Sequence, residues 1–330
     1  MFLGIEIGGS KLQIGLGPGD GTLAWLYRGD VNPAAAADGI REHITAALPR
    51  LLQDAGIARS ALRGAGIGFG GPVDDHTRTV IKSHQIPGWD NFPLAAWLAD
   101  QLGIPTTLGN DADVARLAEA LFGAGAACGL ARGPLFYITL GSGIGGGFII
   151  DQKIYRGTGH GAAEIGHVLV NDPDNPARLV ALEDIASGWS IAQRAQRLLG
   201  ERRASPPPTS ALGGLPTALL DLCGGNPTTL TTHHVAAAAA QNDPLAQSVL
   251  ANAIDALALA IRQMITLLCP RRIVIGGGVA LIGEDLLFKP LRQRLDAIMF
   301  PPFKDCYDIV PAALGEEVVV HGALALAARS

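Results

Sequence analysis

Residues 135–150 read LFYITLGSGIGGGFII, two short apolar runs on either side of a glycine-rich turn. Residues 2–16 have the same arrangement, because FLGIEI and LQIGL flank GGSK. Short β-prone runs that glycines interrupt predict β-hairpins. Each hairpin opens one half of the chain, and strand and helix patterns follow in both halves. The sequence therefore predicts an α/β protein with two similar halves, and a cleft between such halves is a common place for a ligand.

The order of elements is clearest in the first half, where residues 1–122 predict β-β-β-α-β-α-β-α. Apolar residues recur at helical spacing over residues 33–55, and a further strong helix is predicted at 112–122. In the second half we predict helices at residues 187–199, 244–269, 284–299 and 316–328, and a strand at 271–275. The Pro-rich segment 202–216 is predicted to be an exposed loop. The uncharged run 133–150 contains too many glycines for a lipid-exposed helix, so we predict two buried strands there and no membrane association.

Composition restricts the class of protein. The chain has 330 residues, of which 48% are apolar and 17% charged, enough to bury a large core. The net charge is -5 and no basic block of five residues occurs, so we expect no nucleic-acid partner. Glu6 interrupts the first apolar run and no basic segment precedes it, so we expect no signal peptide. The four cysteines contain no CxxC pair, which favours a reducing, cytoplasmic location.

Four glycine clusters follow or join predicted strands. They are Gly8-Gly9-Ser10-Lys11, Gly70-Gly71-Pro72, the segment 141–147 and Gly276-Gly277-Gly278. Because glycine has no Cβ, backbone amides in such turns can approach a phosphate closely. One glycine-rich turn alone is more often structural, but two hairpin turns at equivalent positions favour the binding of a nucleotide phosphate chain from both sides. No cluster is GxxxxGK[ST], and strand residues follow the GxGxxG match at 141–146, so neither a Walker loop nor a dinucleotide fold is predicted.

Polar residues form a second pattern. Asn110-Asp111 follows a predicted strand. Glu164 and His167 follow a glycine-rich segment, and Glu183 comes shortly after them. Carboxylates, amides and imidazoles together can both accept hydrogen bonds from sugar hydroxyls and donate hydrogen bonds to them. Other interpretations stay open: Asp111 as a helix N-cap, Glu164 and Glu183 as surface charges, and His167 as a core histidine.

Five motifs together resemble the ROK family (repressors, open reading frames and kinases). They are residues 5–11 (IEIGGSK), 109–112 (GNDA), 140–147 (LGSGIGGG), 163–167 (AEIGH) and 274–279 (VIGGGV), whose order and spacing match over nearly the whole chain. The resemblance implies an α/β, actin-like (ribonuclease H-like) ATPase fold with two lobes and a central cleft. One lobe would be residues 1–115 plus 312–330, with the sugar site and the first phosphate loop. The other lobe would be residues 116–311, with the nucleotide site and the second phosphate loop.

The resemblance also implies roles for individual residues. Asp111 would be the catalytic base that takes the proton from a sugar hydroxyl. Sugar hydroxyls would be bound by Gly71, Asn110, Asp111, Glu164, His167 and Glu183. Phosphates would be bound by Gly8, Gly9, Ser10, Lys11, Gly141, Ser142, Gly143 and Gly145, and adenosine would lie near Gly276, Gly277 and Gly278. ATP and Mg²⁺ would be the cofactors, with Glu6 as a water-mediated Mg²⁺ contact, and the chain would form a homodimer.

The chain departs from the family pattern at two places. Many members bind zinc through three cysteines between the positions of His167 and Glu183, but residues 168–182 contain no cysteine. Carboxylates in that stretch cannot replace three thiolates, so we predict no zinc site. Glu6 stands where the family usually has aspartate, and its extra methylene moves the carboxylate by about 1 Å.

The sequence thus predicts an ATP-dependent kinase that phosphorylates the C6 hydroxyl of a hexose, with glucose as the first choice. N-acetylglucosamine, N-acetylmannosamine or fructose as the acceptor, and polyphosphate as the donor, stay open as alternatives. A sugar sensor without catalysis is a further alternative, although Asp111 weighs against it. Because the first predicted strand begins at residue 2, we expect no DNA-binding domain before it and do not expect a repressor.

Overall fold

The computed structural model describes residues 1–74, 76–83, 85–126, 133–158, 162–204 and 217–330, with the backbone alone for 202–204. The strands are β1 (Phe2–Ile7), β2 (Lys11–Gly17), β3 (Trp25–Asp30), β4 (Gly64–Phe69), β5 (Val73–Asp74), β6 (Thr79–Val80), β7 (Thr106–Asn110), β8 (Leu135–Leu140), β9 (Ile144–Ile150), β10 (Lys153–Tyr155), β11 (Leu169–Asp172), β12 (Asn175–Ala181), β13 (Arg272–Gly276) and β14 (Asp308–Pro311). The α-helices are α1 (Ala36–Asp54), α2 (Leu94–Leu102), α3 (Asp111–Leu121), α4 (Glu183–Ala186), α5 (Gly188–Ala204), α6 (Ala218–Leu222), α7 (Thr232–Ala240), α8 (Pro244–Leu268), α9 (Lys289–Ile298) and α10 (Val318–Ala328). The chain forms two compact units: Met1–Arg132, Ile149–Ile154 and Ala312–Ser330 in the first, Gly133–Phe148 and Tyr155–Pro311 in the second.

The first unit contains a five-stranded sheet in the order β3-β2-β1-β4-β7. β1 pairs antiparallel with β2, and β2 with β3, as the apolar runs around the first glycine cluster predict. β4 and β7 continue the sheet parallel to β1. In this register Ile7 lies opposite Phe69, and Phe69 lies opposite Asn110. The three parallel strands therefore end side by side, and the residues that follow them meet at one edge of the sheet.

Helix α10 packs directly on this sheet, against β1, β4 and the neighbouring helix α3. Its residues Val320 and Ala323 are fully buried. A Cβ at Gly66 of β4 would lie 2.0 Å from the carbonyl oxygen of Ala323, a separation that no side chain can occupy. Gly66 is therefore required for the helix backbone to approach the sheet this closely.

A buried carboxylate fixes the segment that leads into α10. Glu119, near the end of α3, is fully buried. Its Oε1 atom accepts hydrogen bonds from the N–H groups of Ala313 (2.9 Å) and Leu314 (2.7 Å), and its Oε2 atom accepts one from Ala124 N–H (2.9 Å). A carboxylate buried away from water is stable only when such donors surround it, so Glu119 ties residues 313–314 to the end of α3.

The second unit is built on β9, β8, β13 and β14, which are neighbours in this order in one sheet. β13 runs parallel to both β8 and β14, and Gly276 at its end lies opposite Thr139. The strands β8 and β9 confirm the two buried strands predicted around the second glycine turn. Ile138 of β8 and Ile275 of β13 are fully buried in one apolar cluster with the inner face of α8.

Helix α8 begins where the sequence predicts it. The N-cap is Asp243, whose Oδ1 atom accepts hydrogen bonds from the N–H groups of Leu245 (2.9 Å) and Ala246 (3.0 Å). Among the described residues α8 is long and apolar enough to cross a bilayer by length and composition alone. However, 61% of its most apolar window is buried inside the protein, which is typical of a core helix.

The predicted order of the main elements is confirmed, with differences at several boundaries and with short elements that the sequence patterns do not predict, namely β5, β6, β10, β14, α4 and α6. The helical pattern at 284–299 divides into a π-helical segment, Glu284–Phe288, and α9, and the pattern at 316–328 opens with a 3₁₀ turn, Gly315–Glu317. Sequence patterns do not predict the hairpin β11–β12, whose second strand is largely exposed, or α7, which is a run of alanines without apolar periodicity. The first unit extends past residue 115 because α3 continues to Leu121 and Glu119 anchors its end. The predicted loop 202–216 lies outside the described residues, except that the backbone of 202–204 continues α5.

Candidate active site

Three predicted site segments meet at the edge of the first sheet. Gly8 follows β1, Gly70 follows β4 and Asp111 follows β7, and these strands end in register. The N–H group of Gly70 donates to the carbonyl of Ile7 (2.8 Å). A Cβ at Gly70 would lie 3.4 Å from Asp111 Oδ2, so the carboxylate lies directly beside this glycine. The structure thus brings Asp111 close to the first glycine turn, residues 8–11.

Asn110 is the N-cap of α3, so the helix does not depend on Asp111 for its cap. Its Oδ1 atom accepts hydrogen bonds from the N–H groups of Ala112 (3.0 Å) and Asp113 (3.3 Å). Its Nδ2 atom donates to the carbonyl of Gly71 (2.9 Å). An amide oxygen accepts two hydrogen bonds and an amide nitrogen donates two, so one N–H of Asn110 is left for a ligand.

The Asp111 carboxyl is oriented by the backbone at the start of α3. Its Oδ1 atom accepts from Ala112 N–H (2.8 Å). Burial raises the pKa of this carboxyl above its usual value, although the hydrogen bond from Ala112 and the positive charge of Lys11 act in the opposite direction. A carboxyl group with a raised pKa in this position is typical of a functional site.

Glu6 and Lys11 form an ion pair across the base of the first glycine turn. The Nζ atom of Lys11 lies 3.0 Å from Oε1 of Glu6 and donates to the carbonyl of Glu316 (3.3 Å). Burial raises the pKa of the Glu6 carboxyl, and the hydrogen bond and charge of Lys11 lower it in part. The other oxygen, Oε2, is buried without a hydrogen-bond partner in the part of the chain that the structure describes.

Gln85 is a neighbour of the first glycine turn that the sequence patterns do not predict. The turn is closed by a hydrogen bond from Gly8 N–H to the carbonyl of Lys11 (3.0 Å), and the carbonyl of Ser10 accepts from Val31 N–H (3.0 Å). A Cβ at Gly9 would lie 1.4 Å from Gln85 Oε1, so this side chain covers the glycine. The loop that carries Gln85 has no periodic pattern, and only the fold brings it to the turn.

In the second unit, Glu183 is bound to the second glycine turn, residues 141–147. Its Oε2 atom accepts a hydrogen bond from Ile144 N–H (2.6 Å). A Cβ at Gly143 would lie 2.5 Å from the same oxygen, so only glycine allows the carboxylate this position. Glu183 therefore fixes the shape of the predicted phosphate turn.

Glu164 and His167 lie in a 3₁₀ turn that packs against the start of β9. Both side chains are exposed, so His167 is not a core histidine. A Cβ at Gly146 would lie 2.1 Å from the carbonyl of Ala163, which shows how closely the two segments approach. The predicted ligands Glu164, His167 and Glu183 therefore gather around the first residues of β9.

The glycine cluster at residues 276–278 follows β13, next to the second glycine turn. Gly277 has φ of 91°, a conformation that residues with a side chain rarely adopt. A Cβ at this position would lie 2.5 Å from the carbonyl of Leu140. The predicted adenosine neighbour Gly278 and the predicted phosphate ligands Gly141 and Ser142 line the same cavity.

This cavity has a volume of about 690 Å³, which suits a ligand of nucleotide size. Besides these glycines and Ser142, its wall consists of the first turns of α5, residues 228–233, Val279 and Ile282. No pattern in the sequence predicts residues 228–233 as part of a site. One local signal marks the start of α7: Thr231 and His234 form a capping box, so a helix N-terminus lies at the cavity wall.

The predicted site residues fall into two groups, one in each unit. The first group is Glu6, Gly8, Gly9, Ser10, Lys11, Gly71, Asn110 and Asp111. The second group is Gly141, Ser142, Gly143, Gly145, Glu164, His167, Glu183, Gly276, Gly277 and Gly278. Within the described residues, no group of three or more His, Cys, Asp or Glu side chains could hold a metal ion.

Comparison with known proteins identifies the family of this chain. The model of the ROK family matches residues 2–330. A glucokinase of Halalkalibacterium halodurans is 31% identical over 97% of this chain and 93% of its own length, and one of Thermotoga maritima is 29% identical over 98% and 96%. A ROK family glucokinase from Streptomyces griseus, solved with glucose and AMPPNP, is 27% identical, with a TM-score of 0.72 over 100% of this chain and 99% of its own. This chain therefore belongs to the ROK family, and it is a sugar kinase with the actin-like ATPase fold.

Proposed function

We propose that this sugar kinase transfers the γ-phosphoryl group of ATP to the C6 hydroxyl of glucose, with Asp111 as the general base. The observation that carries the proposal is the position of Asp111, at the first residue of α3 and beside Gly70 at the first glycine turn. A sugar hydroxyl is a poor nucleophile, and a positioned carboxylate that accepts its proton lowers the barrier to transfer.

The hydrogen bonds around Asp111 define which oxygen receives the proton. Because Oδ1 accepts from Ala112 N–H, Oδ2 is the oxygen available to the sugar hydroxyl. The N–H group that Asn110 does not donate to Gly71 can hold a neighbouring hydroxyl. Burial, which raises the pKa of Asp111, makes its carboxylate a stronger base at neutral pH.

The surroundings of Glu6 fit a water-mediated Mg²⁺ contact. Its Oε2 atom is buried and lacks a hydrogen-bond partner among the described residues, and carboxylate oxygens suit Mg²⁺. Mg²⁺ is commonly held by one or two carboxylates together with substrate phosphates, so the absence of a larger carboxylate cluster is no obstacle. When bound, the ion would neutralise charge on the phosphates, and Lys11 adds a second positive charge beside the same turn.

The relatives favour glucose as the acceptor, and two exposed side chains of this chain fit a sugar. The relatives from Halalkalibacterium halodurans and Thermotoga maritima are glucokinases, and the Streptomyces griseus structure contains glucose. In this chain, Glu164 and His167 are exposed, so a carboxylate and an imidazole can both reach hydroxyl groups of a ligand. We expect the pair to bind the acceptor sugar.

The test is a coupled assay of ADP release with ATP, Mg²⁺ and a panel of acceptors. The panel contains glucose, mannose, fructose, N-acetylglucosamine, N-acetylmannosamine and 6-deoxyglucose. We expect glucose to give the highest kcat/KM, the product to be glucose 6-phosphate by phosphorus NMR, and 6-deoxyglucose to inhibit without being phosphorylated. The substitution Asp111→Ala should abolish measurable turnover while glucose binding, measured by calorimetry, persists.

Different results would change different parts of the proposal. A preference for another sugar of the panel would replace glucose and leave the general base intact. Turnover that survives Asp111→Ala would refute the role of Asp111. Activity with polyphosphate in place of ATP would change the phosphoryl donor.

A further inference from the structure

Trp189 is an exposed aromatic residue at the cavity of the second unit. Of the four tryptophans in the chain, it is the only one in that unit. Its relative exposure is 70%, although it borders the cavity together with Gly141 and Ser142. A large aromatic side chain that stays exposed at the wall of a cavity provides a flat, apolar surface for a ligand.

The backbone of Trp189 is fixed to the second glycine turn. The N–H group of Gly188 donates to the carbonyl of Gly141 (2.8 Å), and the N–H group of Trp189 donates to that of Ser142 (3.4 Å). A Cβ at Gly188 would lie 2.9 Å from the carbonyl of Gly141, so the approach requires glycine. The backbone from which the indole extends is therefore held beside the turn predicted to bind phosphates.

Gln193 lies one helical turn after Trp189 on the same side of α5 and lines the same cavity. Its side chain is exposed and makes no hydrogen bond within the described residues. Gln196, the next cavity residue of α5, differs because its Nε2 atom donates to the carbonyl of Leu230 (3.0 Å) and thereby holds the facing wall. Gln193 thus has a free amide at the cavity, whereas Gln196 is a structural contact.

We propose that Trp189 stacks on the nucleobase of the phosphoryl donor and that Gln193 pairs with the edge of that base, which favours adenine. The inference rests on the proposed function, since it takes the donor to be a nucleoside triphosphate. Bases stack well on aromatic side chains. An amide group matches the N6 donor and N7 acceptor of adenine, whereas guanine presents two acceptors, O6 and N7, at the same edge.

The first test measures donor kinetics in matched variants. We expect Trp189→Ala to raise the KM for ATP about tenfold, with the KM for sugar within twofold, and Trp189→Phe to retain most of the affinity. Gln193→Ala should reduce the preference for ATP over GTP and ITP, mainly by raising the KM for ATP. Tyr155→Ala is the control, because Tyr155 is an aromatic residue of the same unit, 51% exposed, that does not line the cavity.

The second test uses tryptophan fluorescence and does not require turnover. We expect AMPPNP to change the emission of the wild-type protein, and Trp189→Phe to remove that change while AMPPNP still binds by calorimetry. An unchanged KM for ATP in Trp189→Ala, or an emission change that persists in Trp189→Phe, would overturn the inference. If the wild type phosphorylates no sugar with ATP, the proposed function fails, and AMPPNP binding with and without Trp189 still decides this inference.

Discussion

The two glycine turns of this kinase look alike in sequence but are held in different ways. At the first turn, residues 8–11, the nearest atom to a Cβ at Gly8 would be 3.4 Å away, which is ordinary contact, and the ion pair of Glu6 and Lys11 lies at its base. At the second turn, residues 141–147, a Cβ at Gly146 would lie 2.1 Å from a backbone carbonyl. The first turn therefore has room at Gly8 and a charged pair at its base, although the Gln85 side chain covers Gly9, whereas backbone packs tightly against Gly146 of the second turn.

This difference separates two reasons for glycine in a phosphate turn. At Gly8 the absence of a side chain leaves space for a ligand, so a substitution there should affect function more than stability. At Gly146 the absence of a side chain allows the backbone of Ala163 to approach, so a substitution there should affect stability as well. The four predictions below test this contrast, beginning with the largest effect.

The largest effect is expected for Asp111, the carboxylate that lies beside the first glycine turn. Asp111→Asn keeps an oxygen that can accept from Ala112 N–H but removes the base, so kcat should fall by about 10²–10⁴-fold. The measurement is steady-state kinetics with saturating ATP and glucose. Asp113→Asn is the control, because Asp113 pairs with Arg116 (3.0 Å), and its kcat should stay within about fivefold of the wild type. A kcat above a tenth of the wild-type value in Asp111→Asn would contradict the general-base role.

The second prediction compares the same substitution in both turns. Gly146→Ala should lower the free energy of unfolding by about 2–3 kcal/mol, because the carbonyl of Ala163 blocks the new Cβ and the backbone must shift. Gly8→Ala should lower it by less than about 1 kcal/mol and should instead raise the KM for ATP. Urea unfolding and donor kinetics measure the two effects. Equal losses of stability in both variants would remove the distinction between the turns.

The third prediction concerns the cap beside the proposed general base. Asn110→Ala should lower the free energy of unfolding by about 1–2 kcal/mol, since Asp113 N–H loses its acceptor and Ala112 N–H keeps only Asp111 Oδ1. Asn110→Ser restores a capping oxygen and should recover most of the stability without the hydrogen bond to Gly71. If both variants have the same free energy of unfolding, the capping oxygen contributes less to stability than the hydrogen bond from Asn110 Nδ2 to the carbonyl of Gly71.

The smallest effect is the dependence of stability on pH. Because burial raises the pKa of Asp111 in the folded state, the folded protein binds this proton more tightly than the unfolded chain. Stability from this group therefore falls as pH rises from about 3.8, the ordinary value, through the raised pKa. We expect Asp111→Asn to be more stable than the wild type at pH 7 and the gap to narrow as pH falls towards 4. A gap that widens on acidification would contradict the sign of the shift.

The sequence could predict both glycine turns and the strands around them, because short apolar runs on either side of glycines are typical of β-hairpins. It could place Asp111 at a strand end, but only the register of Ile7, Phe69 and Asn110 shows which segments meet there. The nucleotide-sized cavity could not be predicted in full. Its wall combines α5 with residues 228–233, and no local pattern links segments that are far apart in the chain.

The same reasoning explains why individual contacts escaped prediction. Glu183 fits the sugar-ligand pattern, but its bond to Ile144 N–H depends on the packing of α4 against the second turn. Gln85 covers Gly9 from a loop without periodicity. From the sequence, Trp189 is expected to be one of the buried apolar residues of a helix, and only the folded structure shows that it is exposed.

The anchoring of residues 313–314 by Glu119 has a consequence for protein synthesis. The second unit is built mainly from one continuous stretch, so most of it can fold as soon as that stretch leaves the ribosome. The first unit waits for residues 312–330, because α10 packs against its sheet and against α3, the helix that begins at Asp111, and Glu119 accepts hydrogen bonds from Ala313 and Leu314. A nascent chain can therefore form the cavity of the second unit before α10 supports the segment of the proposed general base, and we expect kinase activity only once α10 has been translated.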